Sequence, residues 1–161
     1  LPLTYYSSLN EVPAFDDYDV TKGRGYQYFK GKPLYPFGYG LSYTSFVYKN
    51  LRLTENNEFV NLVFDLKNAG KMDGDEVSQV YVKLPETGVI MPIKELKGFK
   101  RSFIKKGETK RIEIEIKKEQ LRYWNEELGK FVVPEGVYEF MVGASSSDIR
   151  LSEKYNLMPA K

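Results

Sequence analysis

From Phe46 onward, apolar and polar residues alternate along this 161-residue chain, and the alternation recurs in one segment after another. It is clearest in Thr109–Lys117, where Ile112, Ile114 and Ile116 fall on one side and mostly charged residues fall on the other. A period of two residues is typical of a β-strand with one buried face and one solvated face. Turn residues separate the segments, and none of them shows a convincing helical period. The pattern therefore predicts an all-β sandwich of about seven strands.

The predicted strands begin with Phe46–Thr54, in which we expect Val47, Leu51 and Leu53 to face inward. Asp75–Leu84 carries apolar residues on both faces, which indicates a central strand. The chain has no cysteine, so the Cys–Trp–Cys arrangement of antibody domains is absent and the fibronectin type III-like variant of the immunoglobulin-like sandwich fits better. The other predicted strands are Glu58–Lys67, Leu96–Ile104, Thr109–Lys117, Val137–Gly143 and Ile149–Leu157, with a small hairpin inside Leu121–Val133.

The segment Pro33–Phe46, called the strap below, is rich in aromatic, proline and glycine residues. Proline fixes φ and removes a hydrogen-bond donor, and glycine permits positive φ, so this composition excludes a regular helix or a central strand. We interpret the strap as an extended segment that is held in place by its aromatic side chains. Residues 1–44 are accordingly predicted to form an extended N-terminal segment, and residues 45–161 the sandwich domain.

The rest of the N-terminal segment is polar and has few aliphatic side chains, so we do not expect it to fold alone. Short strands are predicted at Leu1–Tyr6 and Tyr26–Phe29, where aromatic residues favour extended structure. The chain begins without an initiator Met or a basic signal region, which we interpret as a boundary inside a longer protein.

Composition excludes several classes of function. The chain has 24 basic and 22 acidic residues, and this balance disfavours nucleic acid and membrane surfaces as partners. It has no Cys and no His, which excludes disulfides, thiolate nucleophiles, Ser-His and Cys-His arrangements, and the commonest metal ligands. No apolar run is long enough to span a bilayer. We therefore predict no cofactor and no metal.

Two features could carry chemistry, and each also has a simpler structural interpretation. Asp16, Asp17 and Asp19 could hold a metal or act as acids, but they lack the Gly and Glu of a calcium loop. We prefer a solvated turn, where Asp is common. Trp124 with Tyr123 could stack on a sugar, although half-buried packing is the commoner role of such residues.

Two further patterns, a glycine pair and a group of basic residues, do not indicate a ligand-binding site. Gly38-Tyr39-Gly40 is not followed by the Lys-Ser/Thr of a phosphate loop. The basic residues from Lys94 to Lys106 are interpreted as an ordinary solvated strand face, because the net charge of the chain is only +2.

Several motifs, taken in order, resemble those of glycoside hydrolase family 3 enzymes over nearly the whole chain. The strap resembles the connector that leads into the C-terminal fibronectin type III-like domain of that family. Leu1–Tyr6 resembles the last strand of the family's α/β sandwich domain, so that residues 1–44 would be the end of that domain and a linker. Further likenesses are Phe15–Asp19, Gly23–Phe29, Val63–Gly70 with Asp73–Val77, Lys94–Lys100, Lys106–Thr109 and Val142–Ser146.

This resemblance implies a parent enzyme that hydrolyses β-linked glycosides with retention, of the β-glucosidase or β-xylosidase type. Such a mechanism needs two carboxylates about 5 Å apart, and the family supplies them from a barrel domain and the α/β sandwich domain, upstream of the strap. This sequence contains neither motif. The resemblance therefore gives it no catalytic, substrate-binding, cofactor-binding or metal-binding residue, and we predict that the chain alone is inactive.

Two functions from different classes fit the sequence. The first, which the strap favours, is a non-catalytic accessory domain of a bacterial exo-acting β-glycosidase that stabilises and docks on the catalytic barrel and α/β sandwich domains. The second is an independent polysaccharide- or protein-binding module. Neither nucleic acid nor membrane is an expected partner, formation of a homo-oligomer is left open, and a periplasmic or secreted enzyme is favoured. The residues predicted to dock are Tyr35, Phe37, Tyr39, Tyr43, Leu96 and Phe99.

Overall fold

Two antiparallel β-sheets form the sandwich in the computed structural model, which describes residues 1–157. The strands are β1 (Phe46–Glu55), β2 (Phe59–Asn68), β3 (Gly74–Lys83), β4 (Glu95–Ile104), β5 (Thr109–Lys117), β6 (Tyr123–Asn125), β7 (Lys130–Val132), β8 (Gly136–Ser145) and β9 (Asp148–Leu157). One sheet has three strands in the order β1-β2-β5, and the other has four in the order β4-β3-β8-β9. These seven strands confirm the predicted all-β sandwich, and β6 and β7 pair in a separate hairpin.

The core lies between the two sheets and follows the alternation of the sequence. Strands β2 and β5 place every second side chain inside, and their even-numbered apolar residues from Val60 to Leu66 and from Ile112 to Ile116 are buried. Strands β3 and β8 contribute Val80, Val82, Phe140 and Val142 from the opposite sheet. Burial of each such side chain contributes about 1.5–3 kcal/mol, so this face supplies most of the stability of the domain.

A β-bulge in β1 reverses the inward face that the sequence predicts for the start of this strand. Val47 was expected inside but is 37% exposed, whereas its neighbours Phe46 and Tyr48 are buried. The pairing with β2 shifts between Lys49 and Arg52, where Asn50 has a φ of 58°. Because of the inserted residue, even-numbered side chains face the core before the bulge and odd-numbered side chains face it after the bulge. Leu51 and Leu53, beyond the bulge, pack against the core as predicted.

The N-terminal segment contains short turns of helix rather than the two predicted strands. Residues Gly25–Tyr28 form one α-helical turn, α1, closed by a 2.9 Å hydrogen bond from Phe29 N to Gly25 O. Leu1–Tyr6 forms no strand; its one β-bridge joins Tyr5 to Tyr35, and Leu1 O accepts a 2.8 Å hydrogen bond from Gly38 N. Two 3₁₀ turns lie at Leu9–Glu11 and Val20–Lys22, and a third, Lys118–Leu121, follows β5.

Tertiary contacts explain why the strand prediction at Tyr26–Phe29 is wrong. In the helical turn, the Tyr26 ring packs on the sheet while Gln27 O accepts a 2.7 Å hydrogen bond from Ile93 N. A single turn of this kind has little intrinsic stability, so these contacts select it over an extended conformation. No helix within residues 1–157 is long and apolar enough to cross a membrane.

The inward row of β5 gives a direct test of the register. Ile114 is 6% exposed, and a Cβ placed on Gly98 of β4 would lie only 2.9 Å from its Cγ2 atom. Ile114→Ala should therefore leave a cavity and lower the free energy of unfolding by about 2–5 kcal/mol. Glu115→Ala, on the solvated face of the same strand, should change it by less than about 0.5 kcal/mol. Equal losses in urea unfolding would contradict the register.

Candidate docking surface

The outer face of the four-stranded sheet is covered by the N-terminal segment. Gln79 and Tyr81 of β3 point away from the core, yet they are only 6% and 0% exposed. The outer face of a sandwich sheet is normally solvated, so such burial requires a third layer. That layer consists of the helical turn α1 and the strap.

Aromatic packing fixes α1 and the strap to one another and to the sheet. The Phe37 ring stacks on Tyr26 with 4.2 Å between ring centroids. Tyr26 in turn meets Tyr81 edge to face, with 5.8 Å between centroids. The Tyr26 hydroxyl accepts a 2.9 Å hydrogen bond from Leu96 N, at the start of β4. Burial of the side chain raises the pKa of Tyr26 above its ordinary value.

One glutamine connects the strap to the sheet by hydrogen bonds, an arrangement called the Gln79 clasp below. Gln79 Nε2 donates to Gly38 O at 3.0 Å and to Ala144 O at 2.6 Å. Its Oε1 accepts a 2.5 Å hydrogen bond from the Tyr81 hydroxyl. The buried amide is thereby satisfied at both donors and at its oxygen, which is the condition for a buried polar group to stabilise a fold. Ser146 N adds a 2.9 Å bond to Phe37 O.

Beside the strap lies an open groove of about 520 Å³ with mostly apolar walls. Four of the six residues predicted to dock line it: Phe37, Tyr39, Leu96 and Phe99. Phe99 is 68% exposed on the edge strand β4, and Val77 of β3 beside it is 40% exposed. Large apolar side chains that stand in water on one face are typical of an interaction surface.

The structure places Tyr35 and Tyr43, the other two residues predicted to dock, outside the groove. Tyr35 packs edge-on against Tyr5, with 6.1 Å between centroids, and lies 5.1 Å from Tyr39. Tyr43 is 95% exposed where the strap turns toward β1. The adjacent Thr44 is fixed by a 2.7 Å hydrogen bond from its Oγ1 to Asn68 Oδ1. Tyr43 is thus held outward on an anchored backbone.

Sequence reasoning missed the residues that build the third layer, Gln79 and Tyr26 above all. One signal was available, because Asp75–Leu84 carries apolar residues on both faces. The structure confirms that this strand is central, with β4 on one side and β8 on the other. Two-sided burial also requires a cover on the outer face, and the aromatic strap was the segment available to provide it.

The acidic cluster is a solvated turn in the structure. Asp17 forms a 2.7 Å ion pair with Lys22, and this hydrogen bond lowers the pKa of Asp17. Asp19 accepts hydrogen bonds from the backbone N and the hydroxyl of Thr21 and caps the 3₁₀ turn. Within the described part of the chain, no group of three or more acidic residues could hold a metal ion.

The Trp124 side chain belongs to the β6–β7 hairpin and is 51% exposed. It pairs across the strands with Phe131, at 5.2 Å between centroids and an angle of 74° between the rings. Arg122 lies over the Phe131 ring, with its Cζ 4.8 Å from the centroid. Tyr123 accepts a 3.1 Å hydrogen bond from Asn125 Nδ2. Because the two rings are nearly perpendicular, the pair offers no flat platform for a sugar ring.

The Gln79 clasp requires glycine at position 38, and a neighbouring glycine provides a matched control. Gly38 has a φ of 80°, and a Cβ there would lie 2.0 Å from Gln79 Oε1 and 2.8 Å from the Tyr81 hydroxyl. Gly38→Ala should therefore lower the free energy of unfolding by about 2–4 kcal/mol, through backbone strain and loss of buried hydrogen bonds. Gly40→Ala meets open space and should change it by less than about 0.5 kcal/mol. Chemical denaturation of both variants measures the difference, and similar losses would argue against the clasp.

Comparison with known proteins matches this architecture to one group of enzymes. A family model described as a fibronectin type III-like domain matches residues 76–146. Thermostable beta-glucosidase B of Acetivibrio thermocellus is 39% identical over 136 aligned residues, which cover 80% of this chain and 18% of that protein. A putative beta-xylosidase of Formosa agariphila is 35% identical, with 93% of this chain and 20% of that protein covered.

Solved structures show the same likeness in three dimensions. The beta-glucosidase of Kluyveromyces marxianus in complex with glucose has a TM-score of 0.89 and 34% identity, with 98% of this chain and 21% of that chain covered. Beta-glucosidase 3B of Thermotoga neapolitana, in complex with glycerol, has a TM-score of 0.77 and 38% identity, with 83% and 19% covered. The chain thus spans about a fifth of the length of the relatives that it matches. It belongs to glycoside hydrolase family 3, of which it represents a non-catalytic C-terminal region with a fibronectin type III-like domain.

Proposed function

We propose that this chain is the accessory domain of a retaining, exo-acting β-glycosidase of the β-glucosidase or β-xylosidase type. Its role is to dock on the catalytic barrel and α/β sandwich domains of that enzyme and to stabilise their arrangement. The observation that carries the proposal is the apolar groove between the strap and the outer face of the four-stranded sheet. The names of the similar enzymes support the type of activity of the complete protein.

The groove carries two carboxylates, and their placement argues against catalysis by this chain. Asp75 and Glu76 are consecutive in β3, so their side chains point to opposite faces of the sheet. Asp75 forms a 2.9 Å ion pair with Arg101. Glu76 accepts a 2.6 Å hydrogen bond from the Tyr48 hydroxyl, across the sandwich in β1. A retaining glycosidase needs two carboxylates that flank one bond, and this pair does not face a common substrate.

Burial raises the pKa of Glu76, a property that also occurs in catalytic acids. Here the cause is the position of the side chain at the edge of the core, beside the buried Tyr48 and Ser78. The shift therefore follows from packing between the sheets and needs no catalytic role.

Four of the residues predicted to dock fall into two sets, those packed within the chain and those exposed to solvent, and each set has its own role in docking. Phe37 and Tyr39 contact other parts of the chain, with Phe37 on Tyr26 and Tyr39 near Tyr35, and they give the groove a rigid wall. Phe99 and Tyr43 stand in water and are free to insert into a neighbouring domain. Aromatic residues bury a large area at a small entropic cost, and a wall that is already ordered loses little further entropy on docking.

An independent polysaccharide-binding module is the less favoured function. It would need coplanar exposed aromatic rings, and the exposed pair in the β6–β7 hairpin is nearly perpendicular. Phe99 and Trp124 also lie on different elements, β4 and β6, rather than in one row.

We expect the isolated chain to show no hydrolysis of aryl β-glucosides or aryl β-xylosides. The physical reason is that the groove lacks a facing pair of carboxylates, and the sequence lacks His and Cys altogether. Release of the aryl alcohol is measured against a buffer blank. Turnover above the blank that disappears in Asp75→Asn or Glu76→Gln would contradict the accessory role.

Phe99 tests docking in the complete β-glycosidase that the proposal implies. Phe99→Ser should lower the stability of the complete enzyme by about 1–3 kcal/mol, because it removes an interface anchor. In the isolated chain the same change should stay within about 0.5 kcal/mol, because the ring is exposed there. Leu128→Ser is the control, since Leu128 is a large apolar residue that is 60% exposed in the β6–β7 hairpin. Thermal unfolding of the complete enzyme and of the isolated chain measures these changes in stability. If both substitutions have equally small effects in the complete enzyme, Phe99 does not lie in the docking face.

A further inference from the structure

A second cavity, called the Lys94 cavity below, lies beneath the N-terminal segment and has a volume of about 360 Å³. It is separate from the apolar groove and is bounded by three parts of the chain. Thr4 and the stretch from Tyr26 to Pro33 form one wall, and Lys94, before β4, forms another. The turn between β8 and β9 closes it with Ser146 and Ser147.

The charged side chains that line the cavity are cationic. Lys30 and Lys94 line it, and no carboxylate does among the described residues. Lys94 is half-buried, and burial lowers the pKa of its ammonium group, while the charge of Glu139 acts in the opposite direction. No ion pair joins Lys94 to another residue within 1–157. The sequence interpretation of Lys94 as part of a solvated strand face is therefore wrong for this residue.

Hydroxyl groups complete the polar lining. Thr4 Oγ1 is buried and has no hydrogen-bond partner in the described part of the chain. Ser146 is only 3% exposed, and Ser147 lies next to it in the cavity wall. A buried hydroxyl without a partner costs about 1–3 kcal/mol, so native structures rarely keep one unless a water or a ligand satisfies it.

We propose that the Lys94 cavity binds a small oxyanion of the carboxylate or phosphate class. Such a ligand accepts hydrogen bonds from the Lys94 ammonium and from the Thr4 and serine hydroxyls, and its charge neutralises the half-buried cation. The anion comes either from solution or from an acidic side chain of an adjoining domain. Both sources present the same oxygen atoms to the cavity.

The backbone around the cavity is held in place without any ligand. Ile93 N, directly before Lys94, donates a 2.7 Å hydrogen bond to Gln27 O. Ser146 N donates a 2.9 Å bond to Phe37 O in the strap. The groups that we assign to the anion therefore sit on ordered segments, which is what a binding site needs to select a ligand.

The test is a titration of the 161-residue chain with sodium phosphate and with sodium acetate at constant ionic strength, followed by NMR. We expect saturable shifts of the amides of Thr4, Lys94 and Ser146 with at least one of the two anions. Lys94→Gln should weaken binding at least about tenfold, because it removes the charge that faces the anion. Lys105→Gln is the control and should bind like the unaltered chain, since Lys105 is exposed in the β4–β5 turn. Thr4→Val, which removes only the hydroxyl, should weaken binding by a smaller factor.

The pKa of Lys94 provides a readout that a purely structural lysine would not change. A bound anion stabilises the ammonium form, so saturating phosphate or acetate should raise the lowered pKa of Lys94 toward its ordinary value. Thermal unfolding of Lys94→Gln shows whether that variant is folded. Non-saturable shifts, equal affinity of Lys94→Gln and Lys105→Gln, or an unchanged Lys94 pKa would overturn the proposal.

The source of the anion is decided in the complete enzyme, and only this step rests on the proposed function. If an acidic side chain of another domain fills the cavity, phosphate and acetate will bind the isolated chain but not the complete enzyme. If the anion comes from solution, both forms will bind it. Failure of docking would leave the result for the isolated chain intact, so the two proposals fail separately.

Discussion

The Gln79 clasp is the interaction on which the third layer of this molecule depends. A single buried amide binds the strap through Gly38, binds the end of β8 through Ala144, and accepts a hydrogen bond from Tyr81. Once Gly38 is fixed, its neighbour Phe37 is positioned to stack on Tyr26, and the apolar groove gains its wall. An extended segment with few aliphatic residues thereby becomes part of a rigid surface, although it could not form a core of its own.

The sandwich could be predicted from the sequence because apolar and polar residues alternate along most of its strands. In β2 and β5 the alternation predicts the buried face residue by residue, since a register slip would expose the whole aliphatic row. The alternation fails in β1, where Asn50 adds a residue to the strand. Val47, which precedes this bulge, therefore faces outward instead of inward. The prediction also fails at Tyr26, where contacts with Tyr81 and Leu96 decide the local conformation. Neither the bulge nor the helical turn can be recognised from the local sequence pattern.

The candidate sites show the same division between local pattern and tertiary arrangement. Aromatic content marks the strap as a contact segment, and four of the six residues predicted to dock do line one groove. Which rings face inward could not be predicted, because it depends on partners such as Gln79 that are distant in sequence. Lys94 is a further example, since the local sequence does not distinguish it from the basic residues that follow, and only the fold makes it half-buried.

The Gln79 clasp joins three parts of the chain, and this affects the rates of folding and unfolding. Gln79 of β3 donates hydrogen bonds both to Gly38 of the strap and to Ala144 at the end of β8, so the complete clasp can form only after β3 and β8 have paired. The clasp is therefore expected to be absent from the folding transition state. Interactions of that kind leave the folding rate unchanged and slow the unfolding rate. The docked strap therefore extends the lifetime of the folded domain by slowing its unfolding, and it has little effect on the rate at which the domain folds.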